Sequence, residues 1–239
     1  MVVSTKAIVI SSLKYAESDL IVTCYTEVSG LKTYLLRRIL SSKKGKLRTS
    51  QFQPLTQLDL VAFHKDKGTL EQIREAKVIQ PYQSLHTNIV KSTLTLFISE
   101  VLKNSIHEES NDISLYKYLS DSLNWLDEND NIANFHILFL LNLTAHLGFY
   151  PDHSTIKHSY FNLLEGNFQE NETNKYCKNG TIIDHFKLFF GINFDALSQI
   201  KMHKKERLEL LNLLLDYYQL HLHGFKKPKS LLILNQLFR

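Results

Sequence analysis

Apolar residues alternate with polar ones over the first eighty positions, in short segments rich in Val, Ile, Thr and Tyr. Lys6–Ser12, Leu20–Thr26, Leu31–Leu36, Leu58–Phe63 and Thr69–Ile79 each carry this two-residue period and end at polar or Gly residues. That is the pattern of half-buried strands. Ser29-Gly30 and Lys65-Asp66-Lys67-Gly68 mark turns, and a long polar stretch follows the third segment. Five strands in so short a span predict a small barrel, and the OB-fold is the common barrel of that strand number.

Past Gln80-Pro81 the period becomes helical. Leu85–Asn104 places Ile89, Leu94, Phe97, Ile98 and Val101 on one stripe, and Ile113–Leu126 repeats the arrangement with Leu115, Leu119 and Leu123. Ala133–Leu147 is apolar nearly all round, which predicts a buried central helix ending at Gly148 and Pro151. Lys204–His221 and Ser230–Phe238 supply two more helices. Pro151–Gly180 is polar and without a clear period, and reads as an inserted loop module or a poorly ordered excursion. The expected fold is therefore an α+β multidomain chain. A five-stranded OB-fold barrel over residues 1–80 precedes an all-α helical domain over 81–239, with a polar loop module at about 151–180.

Charge sharpens this division. Residues 1–80 hold 13 Lys/Arg against 7 Asp/Glu, whereas residues 81–239 hold 15 against 17. Between Leu31 and Leu58 lie Lys32, Arg37, Arg38, Lys43, Lys44, Lys46 and Arg48 without one acid. Lys14 lies upstream in the first strand region. Such a cluster on or between strands suits a phosphate backbone, against the plainer reading of a solvated charged face. Tyr15, Tyr25, Tyr34 and Phe63 fall on strand segments, where they serve the core or, if turned outward, stack on bases. Cys24 and Cys177 are the two cysteines, too few for a disulfide framework, and fit a cytoplasmic protein. Neither a secretory signal nor an apolar run of transmembrane length is recognisable, so no membrane partner is expected.

Catalytic chemistry finds little support. There is no phosphate-binding Gly-rich loop, Gly-x-Ser-x-Gly elbow or His-Glu-x-x-His. His146, His153, His158, Cys177 and His185 do not have zinc-knuckle spacing. The pairs Glu108-Glu109 and Asp127-Glu128 read as solvated helix ends. The expectation is a binding protein, not an enzyme, without a metal or other cofactor.

Ala7-Ile8-Val9-Ile10, Tyr15-Ala16-Glu17-Ser18-Asp19, Val22-Thr23-Cys24-Tyr25-Thr26 and Ser29-Gly30-Leu31-Lys32 together resemble the opening of the bacterial recombination mediator family RecO. Arg37-Arg38 and Lys43-Lys44 sit where that family has its basic linker after the third strand, and Leu70–Ala76 continues the likeness. Leu147-Gly148-Phe149-Tyr150-Pro151 resembles the helix end before the family's zinc module, and Tyr217–Leu231 the C-terminal end of Bacteroidetes-type members.

The resemblance implies an N-terminal OB-fold, a helical C-terminal domain, and DNA repair without turnover. It implies binding of single- and double-stranded DNA, annealing of complementary strands, and action with RecR to load RecA onto single strands coated by their binding protein. It further implies docking of that binding protein's C-terminal tail, in the helical domain. The four zinc cysteines of many members are absent; Cys177 stands alone in the region, so no metal carries over. Two other classes stay open: an RNA-binding OB-fold adaptor, which the same cations and aromatics would serve, and a metal-dependent hydrolase using the His-rich loop.

Overall fold

The structure, a computed structural model, describes residues 1–41, 47–65, 70–107 and 111–237. The chain separates into two compact units, Met1–Asp127 and Glu128–Arg239.

In the first unit, β1 (Val2–Tyr15), β2 (Asp19–Thr26), β3 (Gly30–Leu36), β4 (Gln57–Phe63) and β5 (Gln72–Val78) form one antiparallel sheet in the order β3-β2-β1-β4-β5. It is OB-like, but the sheet does not close into the barrel the sequence predicts. β3 and the approach to β5 meet through one parallel bridge, Tyr34 with Glu71. Two amide bonds make that bridge, Leu35 N–H to Glu71 O at 2.9 Å and Glu71 N–H to Thr33 O at 2.8 Å. β1 bends at an extra residue, Ile10, between Val9 opposite Cys24 and Ser11 opposite Thr23. A bulge of this kind increases twist and lets one long strand serve both halves of a curled sheet. Ala7, Val9, Leu20, Val22, Cys24, Tyr34, Leu36, Leu58, Leu60 and Ala62 fill the interior.

The sheet ends near Val78, yet the compact unit runs on to Asp127. α1 (Ile89–Ser105) and α2 (Ile113–Glu128) belong to it. Asn88 caps α1 by accepting from Val90 N–H and Lys91 N–H, so the helix starts later than the apolar stripe at Leu85 suggests. Ser99 Oγ donates to Ile10 O at 2.7 Å and satisfies the carbonyl at the bulge. Gln57, almost fully buried, accepts from Ser120 Oγ and donates to Tyr82 Oη and Asn124 Oδ1. Asp127 is no solvated helix end. It is buried, and its carboxylate accepts from the amides of Gln83, Ser84 and Leu85. Glu108-Glu109 lies outside the described residues.

The second unit is built on α3 (Phe135–His146), buried on nearly every side as its composition predicts, and on α5 (Lys204–His221). Tyr218 Oη donates to Leu140 O at 2.7 Å and ties the two together. The unit is not all-α. The polar segment after Pro151 folds into a small sheet of β6 (Tyr160–Asn162), β7 (Asn167–Gln169) and β8 (Cys177–Lys178), in the order β7-β6-β8. Phe161 anchors it with ring centroids 4.9 Å from Phe168, 5.1 Å from Phe186 and 5.8 Å from Tyr217. α4 (Thr181–Lys187) and α6 (Leu231–Leu237) complete the unit.

Candidate nucleic-acid interface

Strand register sorts the residues of β1–β3 onto two faces. Ser12–Val22–Tyr34 and Val9–Cys24–Lys32 are cross-strand rows on the interior face. On the outer face the rows are Ser11–Thr23–Thr33, then Leu13–Ile21–Leu35, and then Tyr15–Asp19; exposed Arg37 follows the end of β3. The Thr23 and Thr33 hydroxyls lie 3.2 Å apart, which fixes them to one face. Leu13 is 63% exposed and Tyr15 is 51% exposed. Ile21 and Leu35 are half-buried beside them. This outer face thus runs from hydroxyls through aliphatics to an aromatic ring.

Three of the predicted cations gather at this end of the sheet. Lys14 faces Leu20, which in turn faces Leu36. Two strand spacings, about 10 Å, therefore separate the backbone of Lys14 from the end of β3. Arg37 and Arg38 follow there and are exposed. Arg38 has a φ of 56°, and its amide donates to Asp19 Oδ1 at 2.7 Å; two residues on, Leu40 N–H donates to Ser18 O at 2.9 Å. These bonds hold the chain leaving β3 against the β1–β2 turn, so Lys14, in the interior-face row with Leu20 and Leu36, comes to the same end of the sheet as Arg37 and Arg38. The fold also brings Asp19 to a basic run that has no acid of its own in sequence. Its carboxylate positions the Arg38 backbone, and Glu17 stands exposed at the turn.

The other predicted cations are placed differently. Lys32 lies on the interior face opposite Cys24 and is half-buried. Arg48 is exposed beside a short 3₁₀ turn at Thr49–Phe52, where Gln51 links Arg48 N–H to Ala76 O on β5. Lys43, Lys44 and Lys46 lie outside the described residues. Of the aromatics, Tyr25 and Tyr34 are core. Tyr34 Oη lies 2.9 Å from His64 Nε2, and burial raises its pKa well above the ordinary phenol range. Phe63 is 40% exposed, at the far end of β4. Tyr15 alone among the four stands beside the cationic margin. Leu13, Ile21 and Leu35 are surface residues that sequence reasoning misses. The available signal is that β1–β3 carry apolar residues on both faces where an ordinary barrel strand alternates.

The second unit holds a cleft of about 320 Å³ lined by apolar Ala133, Leu197, Ile200 and Met202, by polar Asn131, Asn134 and Ser198, and by the cations Lys201 and Arg207. Arg207 is fixed there by Nε donating to Asn134 Oδ1 at 2.8 Å and Nη2 to Met202 O at 3.2 Å. Burial lowers its pKa below the ordinary guanidinium value.

Among the described residues no three His, Cys, Asp or Glu side chains form a metal-ligand group. Cys177 has Thr173 Oγ1 at 3.5 Å and Gln169 Oε1 at 3.9 Å as neighbours, a donor set unlike zinc thiolates. Asn162, fully buried, does the organising instead. Its Oδ1 accepts from Leu164 and Glu165 amides and its Nδ2 donates to Thr173 Oγ1 at 3.2 Å. No helix among the described residues is long and apolar enough to cross a membrane.

Comparison with known proteins decides the family. Residues 1–82 match the family model described as recombination protein O N terminal, and residues 86–231 the one described as recombination protein O C terminal. The chain belongs to the RecO family. Similar relatives include the DNA repair protein RecO of Christiangramia forsetii, 50% identical over 238 residues. Those of Flavobacterium psychrophilum and Bacteroides fragilis are 45% and 32% identical over 247 and 246 residues. In each case the match covers 100% of both chains. Membership in the RecO family places the chain in DNA repair and recombination.

Proposed function

We propose that this chain is a non-enzymatic recombination mediator that binds single- and double-stranded DNA through its OB-like sheet. It anneals complementary strands and acts with RecR to help load RecA onto single strands coated by their binding protein. The observation that carries the reading is the meeting of the exposed cations Lys14, Arg37 and Arg38 at one end of the sheet. Lys32, Lys43, Lys44, Lys46 and Arg48 extend the same basic segment in sequence and are assigned to DNA contact with it. A mediator acts on any sequence, and cations aimed at phosphates read backbone without reading bases. Cations also reduce the repulsion between two approaching strands, which favours annealing.

The helical unit supports the protein contacts of this role. The acidic C-terminal tail of single-stranded DNA-binding protein calls for apolar contacts beside cations, and the cleft lined by Leu197, Ile200, Met202, Lys201 and Arg207 offers both. A carboxylate entering it would find a partly desolvated guanidinium, where ion pairing is stronger than in open water.

A salt titration of DNA binding tests the proposal. Removing one cation from a phosphate reduces the slope of log affinity against log salt by about 0.9 on duplex. The Lys14→Ala/Arg37→Ala/Arg38→Ala chain should show a slope lower by roughly two to three units on duplex. It should bind single strands more weakly too, across sequences, with annealing falling in parallel. An unchanged slope would reduce these residues to a solvated face. Competition by RNA of equal length separates the DNA mediator from an RNA adaptor.

A further inference from the structure

The outer face of β1–β3 is apolar along much of its length but is covered over only part of it. Towards one end Ile8 and Tyr25 are buried, with Tyr25 Oη donating to Asp112 O just before α2 and Ser99 of α1 donating to Ile10 O. Past the bulge the same face opens, and there Leu13 and Tyr15 are more than half exposed. Neither position contributes to the interior. Their solvent-facing apolar area is a cost that the fold itself does not require.

We infer that this open half-face tells single-stranded from double-stranded DNA, with Tyr15 and Leu13 as the surface on which unpaired bases stack. The inference rests on the DNA-binding reading above and assigns a separate role within it. The cations Lys14, Arg37 and Arg38 meet phosphates, which both kinds of DNA present. A duplex keeps its base faces stacked inside and gains nothing from an apolar plate. A single strand exposes base faces, and stacking on an aromatic or aliphatic surface is sequence-tolerant because every base has one. Charge supports this occupant over an apolar protein: the plate ends at the end of the sheet that carries the exposed cations Lys14, Arg37 and Arg38. Asp19 pairs with Tyr15 at that end. Its carboxylate disfavours a phosphate at that point and leaves the neutral bases there, with phosphates displaced towards the cations.

The test uses the full chain and three labelled probes of equal length: an oligothymidylate, an abasic strand with the same phosphates, and a duplex. Replacing Leu13→Ser and Tyr15→Ser together should weaken oligothymidylate binding by about tenfold. Duplex and abasic affinities should stay unchanged, so that the two single strands become nearly equivalent. Tyr15→Phe should keep the wild-type preference, because the ring and not the hydroxyl carries the contact. Equal losses on all three probes would overturn the inference, since the pair would then act through fold or charge. No loss on oligothymidylate would also overturn it and assign the plate to a protein partner. A wild-type chain that binds none of the three would overturn the DNA-binding reading itself, and the inference with it.

Discussion

Asp127 gives the sharpest energetic prediction. Its carboxylate accepts from three successive amides, Gln83, Ser84 and Leu85, at 2.9, 2.8 and 2.8 Å, and from Ser84 Oγ at 3.1 Å. Lys91 Nζ, buried beside it, donates to Ser84 Oγ at 2.7 Å and to Asp127 O at 2.8 Å. The carboxylate thus pins the segment between β5 and α1 to the end of α2. Hydrogen bonds to a charged acceptor contribute about 1.5–3 kcal/mol each, and part of this is recovered when water reaches the loop. Asp127→Ala should therefore cost roughly 3–4 kcal/mol. Asp127→Asn should cost about 2 kcal/mol, because one oxygen remains and an amide N–H₂ turns on former donors. Burial alone would raise the Asp127 pKa, but the amide hydrogen bonds outweigh it and hold the group below the usual carboxylate value. A depressed folded pKa means the stabilisation is complete above the unfolded value, about 4, and is lost as the pH falls through the lowered one. Trp125, the single tryptophan, lies on α2 two residues away and reports unfolding of this unit by fluorescence. Urea titrations at neutral pH and at successively lower pH measure both effects. A stability within about 0.5 kcal/mol of wild type for Asp127→Ala would refute the latch.

Three further outcomes are expected. Gly166 has a φ of 68°, and a Cβ there would sit 2.6 Å from Tyr217 Oη; Gly166→Ala should destabilise the second unit by about 3 kcal/mol, with Tyr217→Phe restoring part of it in a double-mutant thermal melt. His136 is fully buried on α3, where desolvation and then the charge of Arg207 lower its pKa to about 3. The unfolded chain binds that proton near pH 6.5, so stability of the second unit should fall by up to about 1.4 kcal/mol per pH unit on acidification below that point, and His136→Phe should flatten the profile read by circular dichroism. Ser99→Ala leaves the Ile10 carbonyl without its donor and should cost the first unit about 1–2 kcal/mol in a urea titration.

Period alone located most elements because their burial is one-sided. All five strands appear where alternation put them, and Lys204–His221 matches α5 end to end. What escaped the sequence depended on partners distant in the chain. β6–β8 are two or three residues each and take their order from Asn162 and from Phe161 packing on Tyr217, so no local period announces them. Asp127-Glu128 looks like any acidic helix end until Gln83–Leu85 is brought against it. At the candidate site, charge density in sequence identified the basic segment but not its geometry. Lys32 is half-buried within β3 while Arg37, five residues on, is exposed past its end, and Lys14 comes near Arg37 and Arg38 only through strand register and the Asp19 bond to Arg38.

Photocrosslinking shows directly whether unpaired bases lie on the outer face of β1–β3. Single-stranded DNA carrying a photoreactive thymine analogue is bound to the full chain, irradiated, and the attached peptides are sequenced. Attachment is expected within residues 11–38, with Tyr15 foremost, together with loss of these crosslinks in the Lys14→Ala/Arg37→Ala/Arg38→Ala chain. Crosslinks confined to residues 128–239, unchanged by that substitution, would contradict it.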